Sequence, residues 1–306
     1  MTKKILVIGG TGFIGSNLIK KLDNLNFKIF SLSRFKPKVE KKIKNTNYIY
    51  CDLKDKKKLI KCLKNKDFDF VINLGGEINH SNKKKVYNSH FLGTKNLIDI
   101  FKDKKIKKFI QFGSSIENGN VKSPQKEYLV KDINKINSNY GKAKHLATQI
   151  LLKYYKIYSL PVVIFRLYQV YGPYQSTNRL IPFVIKSSLE NKKFPCSSGN
   201  QFRDFIFIDD LIKLILKALK NKESSGQIFN VGFGKPISVK KIIKMIVSKI
   251  GKGKPDFGKI KLRKDEKKII YSNIAKLKKT FKWHPKIKFE HGIGKTILHF
   301  KKNASK

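Results

Sequence analysis

The sequence predicts an α/β fold, a doubly wound parallel sheet with a smaller interleaved C-terminal lobe, and three observations predict it. Short apolar runs alternate with helical stretches through the first half, at the spacing of βαβ units. The first apolar run passes into a turn with glycines at 9, 12 and 15 and then into a helix. With 306 residues, 40% of them hydrophobic and 11% aromatic, the chain can bury a large core as one big domain or two lobes.

The first strand is expected at 4–9 and its helix at 13–25. Between them, Gly9 permits a tight turn, Gly12 lets the backbone approach a pyrophosphate, and Gly15 lets the helix pack closely on the strand. Phosphates placed there would meet free N–H groups and a positive helix end, with Thr11, Phe13 and Ile14 in the same turn. Further strands are expected at 27–33, 47–51, 69–74, 107–113 and 161–167, separated by helices at 55–65, 84–102 and 138–157. After Arg166 the pattern loosens, with a turn at Tyr171-Gly-Pro173, a helix at 179–191 and a strand at 205–208. This reading gives residues 1–167 to a dinucleotide-binding domain that also receives about 205–232, and leaves 168–204 and 233–306 to a substrate-binding lobe.

Cys51, Cys62 and Cys196 form no metal-ligand cluster, which suits a reducing cytoplasm and no metal. The N-terminal apolar run is too short for a signal segment or a membrane span, so a soluble protein is expected. Lysine and arginine number 68 against 21 acids, a net charge of +47. The lysines are spread along the chain among Ile, Asn and Phe, as a compositional bias would spread them, so nucleic-acid binding is expected to be weak and non-specific. Arginine is more selective, occurring at 34, 166, 179, 203 and 263.

Tyr140 and Lys144 are four residues apart at the start of the 138–157 helix and share a face. In a chain this rich in lysine, roughly two such pairs arise by chance, and Tyr50 with Lys54 is another. Context separates them, since the first pair opens a helix and follows a strand ending Gly113-Ser114-Ser115.

These residues together resemble the extended short-chain dehydrogenase/reductase family, in its nucleotide-sugar epimerase and dehydratase branch. The resemblance runs through Arg166-Leu-Tyr-Gln-Val-Tyr-Gly-Pro173, Arg203-Asp-Phe-Ile-Phe-Ile-Asp-Asp210 and Phe281-Lys-Trp-His-Pro285, and so covers nearly the whole chain. It implies a Rossmann sheet, an NAD or NADP cofactor and a catalytic trio of Ser114, Tyr140 and Lys144. Tyr140 would exchange a proton with the reacting oxygen, Ser114 would hydrogen-bond that oxygen, and Lys144, with an oxidised nicotinamide, would favour the phenolate and reach the nicotinamide ribose. Asp52, beside Leu53, resembles the family's adenine contact, and Leu74-Gly75-Gly76 the loop beside the nicotinamide half. Gln169, Arg179, Arg203 and Arg263 would face a nucleotide diphosphate joined to a sugar. The helices at 84–102 and 138–157 resemble those through which the family forms homodimers.

The chain also departs from that pattern. Ser33 and Arg34 end the second strand where an NAD site usually has an acid, and with Lys36 and Lys38 they favour NADP. Ser115 and Ile116 replace the Asp and Glu of the 4,6-dehydratases, which argues against dehydration. Glu117-Asn118 replaces Val-Tyr, Asn273 replaces an Asp, and His90 replaces an Asn and reads as a packing residue. The expected activity is C4 epimerisation or 4-keto reduction of a nucleotide-linked sugar. A non-catalytic relative that binds RNA or scaffolds a complex is the alternative.

Overall fold

The computed structural model describes residues 2–37, 42–77, 79–262 and 266–304. β1 (Lys4–Ile8) turns into α1 (Phe13–Asp23), followed by β2 (Lys28–Ser33), β3 (Thr46–Tyr50), α2 (Lys56–Leu63) and β4 (Phe70–Asn73). α3 (Lys83–Tyr87) and α4 (Gly93–Phe101) lead to β5 (Lys108–Ser114), and α5 (Asn139–Tyr158) leads to β6 (Val162–Leu167). Then come β7 (Gln169–Tyr171), α6 (Leu180–Leu189), β8 (Lys193–Cys196), β9 (Phe202–Phe207), α7 (Ile208–Ala218) and β10 (Gln227–Val231). The remaining elements are β11 (Pro236–Ser238), α8 (Val239–Ile250), β12 (Lys254–Phe257), β13 (Ile269–Ile270), α9 (Ala275–Phe281) and α10 (Phe289–Ala304).

Seven strands form one parallel sheet in the order β10-β6-β5-β4-β1-β2-β3. This is the doubly wound, Rossmann-like sheet that the sequence predicts. Its central strand explains the unbroken apolar run, because Ile5, Leu6, Val7 and Ile8 are all buried and a strand covered on both faces has no polar side. Successive side chains feed opposite cores. Ile5 and Val7 pack with α1 and α7, whereas Leu6 and Ile8 pack with α2, α4 and α5. The order in which strands are added reverses between β1 and β4, so the crevice at their C-terminal ends is where a ligand fits such a sheet.

Helix 84–102 of the sequence reading is not continuous. A π turn at Asn88–Leu92 separates α3 from α4, and it turns His90 inward while the Thr94 hydroxyl bonds the His90 carbonyl at 2.7 Å. A widened turn of this kind re-aims one side chain at the expense of helix regularity. The strand expected at 205–208 begins at Phe202, and Ile208 already opens α7.

A second, smaller sheet is built on β9, which pairs parallel with β7 and β13 and antiparallel with β11. β8 and β12 form a separate parallel pair. α6, α8 and α10 pack over this region. Among the described residues, no helix is long and apolar enough to cross a membrane.

Asp204 pins the small sheet to the large one. It is fully buried on β9, and its carboxylate accepts Phe233 N at 2.6 Å, Gly234 N at 3.1 Å, Ser272 N at 3.0 Å and the Ser272 hydroxyl at 2.5 Å. The segments after β10 and after β13 are thereby held to one strand. Asp204→Asn presents a single acceptor oxygen and a donor to those four donors, and is expected to lower stability by about 3 kcal/mol. Denaturant unfolding of the two proteins measures the difference.

Candidate active site

An open cleft of about 330 Å³ lies at the C-terminal ends of β1, β2 and β4. It is lined by Gly9, Thr11, the run Gly12 to Gly15, Ser33 and Arg34, Asp52 and Leu53, and Leu74 to Gly76. The sequence assigned these residues to the cofactor, and the fold gathers them along one groove. α1 opens at Gly12 with extended dihedrals (φ −79°, ψ 177°) and no side-chain cap, so its first N–H groups face the cleft in the manner of an anion site. A Cβ on Gly15 would stand 2.3 Å from the Gly9 carbonyl oxygen, which makes glycine the residue that lets the helix end come this close. The open helix end and the length of groove from Ser33 to Gly76 fit a dinucleotide.

The proposed trio meets beside the far end of that groove. β5 ends at Ser114, whose N–H donates to Glu117 Oε1 at 2.7 Å, and α5 starts beyond Ser138, whose hydroxyl accepts Gly141 N at 3.0 Å. Tyr140, in the first turn of α5, is partly buried, and the Ser114 side chain acts to lower its pKa. Lys144, one turn further on, donates from Nζ to the Phe112 carbonyl at 2.6 Å and lies 6.0 Å from the Tyr140 ring centroid. The link to the groove is His90. Its ring packs edge-on against Tyr140 at 5.0 Å and beneath Gly76, where an added Cβ would lie 1.9 Å from His90 Cε1.

Sequence reasoning missed His80, which stacks on the Tyr140 ring with centroids 3.9 Å apart and planes 12° apart. It also missed Glu77, whose carboxylate meets Arg34 Nη1 at 3.2 Å. Neither has a local signature, because both act across the fold from the segment after β4. Tyr50 and Lys54, the chance pair, sit at the end of β3 and beyond it, where Lys54 pairs with Asp52 at 3.8 Å.

On the substrate side, Gln169 is exposed on β7, and Arg179 precedes α6 close enough for its charge to act on Tyr140. Arg203 is held on β9 by the Phe202 carbonyl at 2.6 Å and by Glu266. Glu266 also lines a second cavity of about 350 Å³ in the smaller lobe, walled by Leu180, Phe183, Val239 and Ile243 with Gln201 at its edge. Arg263 and Lys38 lie outside the described residues. Arg166 is fully buried in an ion pair with Glu117 at 3.3 Å.

Burial dominates the electrostatics. It pushes Tyr140 up to about 12, against a hydrogen bond from Ser114 and the positive charge of Arg179, while Glu117 pushes the same way as burial. It brings Lys144 down to about 8, against the attraction of Glu117. The site thus favours neutral forms of both groups. His90 is driven down to about 2, chiefly by burial and then by Lys144, against its bond to the Glu77 carbonyl. Its folded value lies below the unfolded one, so the fold loses stability as pH falls through the unfolded titration range near 6.5. From pH 7 to pH 5 this residue is expected to cost about 2 kcal/mol. His90→Asn should remove that part of the pH dependence in denaturant unfolding, and an identical dependence in both proteins would show that His90 takes up its proton while folded.

Residues 5–232 match the model of the NAD dependent epimerase/dehydratase family. The chain is 30% identical to a UDP-glucuronate 4-epimerase of Thermodesulfobacterium geofontis, over 97% of this chain and 96% of the relative. It superposes on the UDP-glucuronic acid 4-epimerase of Bacillus cereus in complex with UDP-glucuronic acid and NAD, with a TM-score of 0.86, 27% identity and coverage of 98% and 99%. It shares the fold of the UDP-glucose 4-epimerase of Thermotoga maritima with UDP-glucose, at a TM-score of 0.90, 23% identity and coverage of 98% and 99%. With the groove, the helix end and the match over most of its length, the chain belongs to the NAD-dependent epimerase/dehydratase family.

Proposed function

We propose that the protein is an NAD(P)-dependent epimerase that inverts C4 of a nucleotide-linked sugar through a transient 4-ketose. The observation that carries this is the meeting of Ser114, Tyr140 and Lys144 where the dinucleotide groove ends at Gly76. When bound, the dinucleotide supplies the hydride acceptor and donor and, oxidised, a positive charge. Tyr140, ionised to the phenolate, receives the proton of the sugar's O4 hydroxyl as the ketone forms and returns it as the alcohol re-forms. Ser114 bonds the same oxygen and holds it against Tyr140. Lys144, anchored on the Phe112 carbonyl, steadies the cofactor's ribose and biases the phenol toward ionisation.

The nucleotide end is assigned to the smaller lobe. Arg203 and Arg179 supply planar donors for a diphosphate, and the apolar cavity beside Glu266 suits a flat base. Dehydration is disfavoured, because the acids it needs are absent at 115 and 116 and Glu117 is fully buried and paired with Arg166. Direct 4-keto reduction uses the same trio and is the second reading, which an Arg34 free to meet a 2′-phosphate would favour. A homodimer through α4 and α5 is also proposed, supported by the exposed Tyr155, Ile157 and Tyr158 on α5.

Tyr140→Phe is expected to keep dinucleotide binding and to reduce turnover of UDP-sugars by about a thousandfold or more. Turnover within tenfold of the parent would overturn the assignment of Tyr140. NAD recovered from the purified protein, with interconversion of C4 epimers, supports the epimerase; an empty site that consumes NADPH with a 4-keto sugar supports the reductase.

A further inference from the structure

We propose that Glu77 sets the choice of dinucleotide by holding Arg34 at the mouth of the cleft, so that the site takes NAD in preference to NADP. This rests on the dinucleotide reading of the cleft. The end of β2 carries Ser33 and Arg34, groups suited to a 2′-phosphate, yet each already has a protein partner. Ser33 Oγ accepts the Thr11 hydroxyl at 3.2 Å, and Arg34 Nη1 donates to Glu77 Oε2 at 3.2 Å.

Glu77 is not a loose surface carboxylate. Its side chain is 15% exposed, against 43% for Arg34. Its N–H donates to Ser89 Oγ at 3.0 Å, its carbonyl lies 3.1 Å from His90 Nε2, and its Oε1 accepts Asn79 N at 3.1 Å. The acid therefore keeps its place at the rim whether or not Arg34 stays with it. Half-exposed ion pairs are individually weak, and the opposition to a 2′-phosphate comes from the fixed carboxylate rather than from the strength of this pair. A 2′-phosphate that engaged Arg34 would add nearly two negative charges beside a carboxylate that the backbone holds in place. A ribose diol is neutral and meets no such opposition.

Among the described residues, the neighbouring cations do not restore the balance. Lys54 is paired with Asp52 at 3.8 Å, and Lys36 Nζ lies over the Tyr50 ring at 5.9 Å. Arg34 remains the guanidinium that lines the cleft. An acid from the segment after β4 thus takes the part usually played by an acid at the end of the second strand.

The test is fluorescence titration of the purified full chain with NADH and with NADPH, for the parent, Glu77→Gln, Arg34→Gln and the double variant. The parent should bind NADH more tightly. Glu77→Gln keeps the acceptor for Asn79 and removes the charge, and should tighten NADPH about five- to tenfold while NADH changes by less than about twofold. The double variant should lose that gain. A parent that prefers NADPH, an unchanged NADPH-to-NADH ratio in Glu77→Gln, or a gain that persists without Arg34 overturns the proposal while the dinucleotide reading stands. A parent that binds neither nucleotide overturns both.

Discussion

Glu117 lies fully buried at the foot of the site, and its carboxylate joins three elements that arrive from distant parts of the chain. Oε1 accepts the N–H of Ser114 on β5 at 2.7 Å, while Oε2 accepts the Thr148 hydroxyl of α5 at 2.6 Å and Arg166 Nε of β6 at 3.3 Å. A buried carboxylate without such partners would cost several kcal/mol, so the three elements have one arrangement that satisfies it. Thr148 stands two turns beyond Tyr140 on α5, and tying it down fixes the helix's rotation. The encounter of Tyr140 with Ser114 is therefore a property of this ion pair as much as of either residue. Arg166 carries the constraint outward through Asn118 Oδ1 at 2.7 Å, and Asn118 bonds Asn230 on β10 at 3.3 Å. The C-terminal edge of β5, β6 and β10 is one polar network.

Above that network burial dominates the electrostatics of the site. Burial is the largest influence moving Tyr140 and Lys144 toward their neutral forms, in opposite directions on the pH scale. His90 adds a neutral ring and His80 a stacked one. Aromatic contacts of this kind restrain the plane of the phenol without using its hydroxyl, which is left to Ser114. A charge brought close to Tyr140 then acts in a medium that screens it poorly, so ionisation of the phenol responds strongly to whatever lies beside it. The sequence reading gave that role to Lys144 together with an oxidised nicotinamide. The Phe112 carbonyl bond and the distance of Lys144 from the ring show why a second source of positive charge is needed.

Most of the large sheet was legible in the sequence because local signals and tertiary demands agree there. The expected strand at 107–113 is β5 (Lys108–Ser114), and the helix at 138–157 is α5 (Asn139–Tyr158). Apolar runs buried on both faces and glycines at the first turn are both local features. The π turn at Asn88–Leu92 was not legible, since it answers to the packing of His90 beneath Gly76 and against Tyr140 rather than to its own residues. Nor were the partners of Glu117, Glu77 and Asp204, whose contacts span 31, 43 and 68 residues of sequence. β11 and β13 are too short, at three and two residues, to show a period.

The same long-range pairings explain how a chain of net charge +47 builds a specific site. Lysines dominate the surface and are interchangeable there, whereas the arginines are placed singly, and three of them meet glutamates: Arg34 with Glu77, Arg166 with Glu117, and Arg203 with Glu266. A flexible ammonium could neutralise each acid, but a planar guanidinium also fixes direction. Arg166 uses that geometry to serve Glu117 and Asn118 together. In a protein with 21 acids, committing three to arginine leaves the groove and the trio with charges whose positions are set by the fold. Charge number is a feature of composition here, and charge placement is the feature that bears on chemistry.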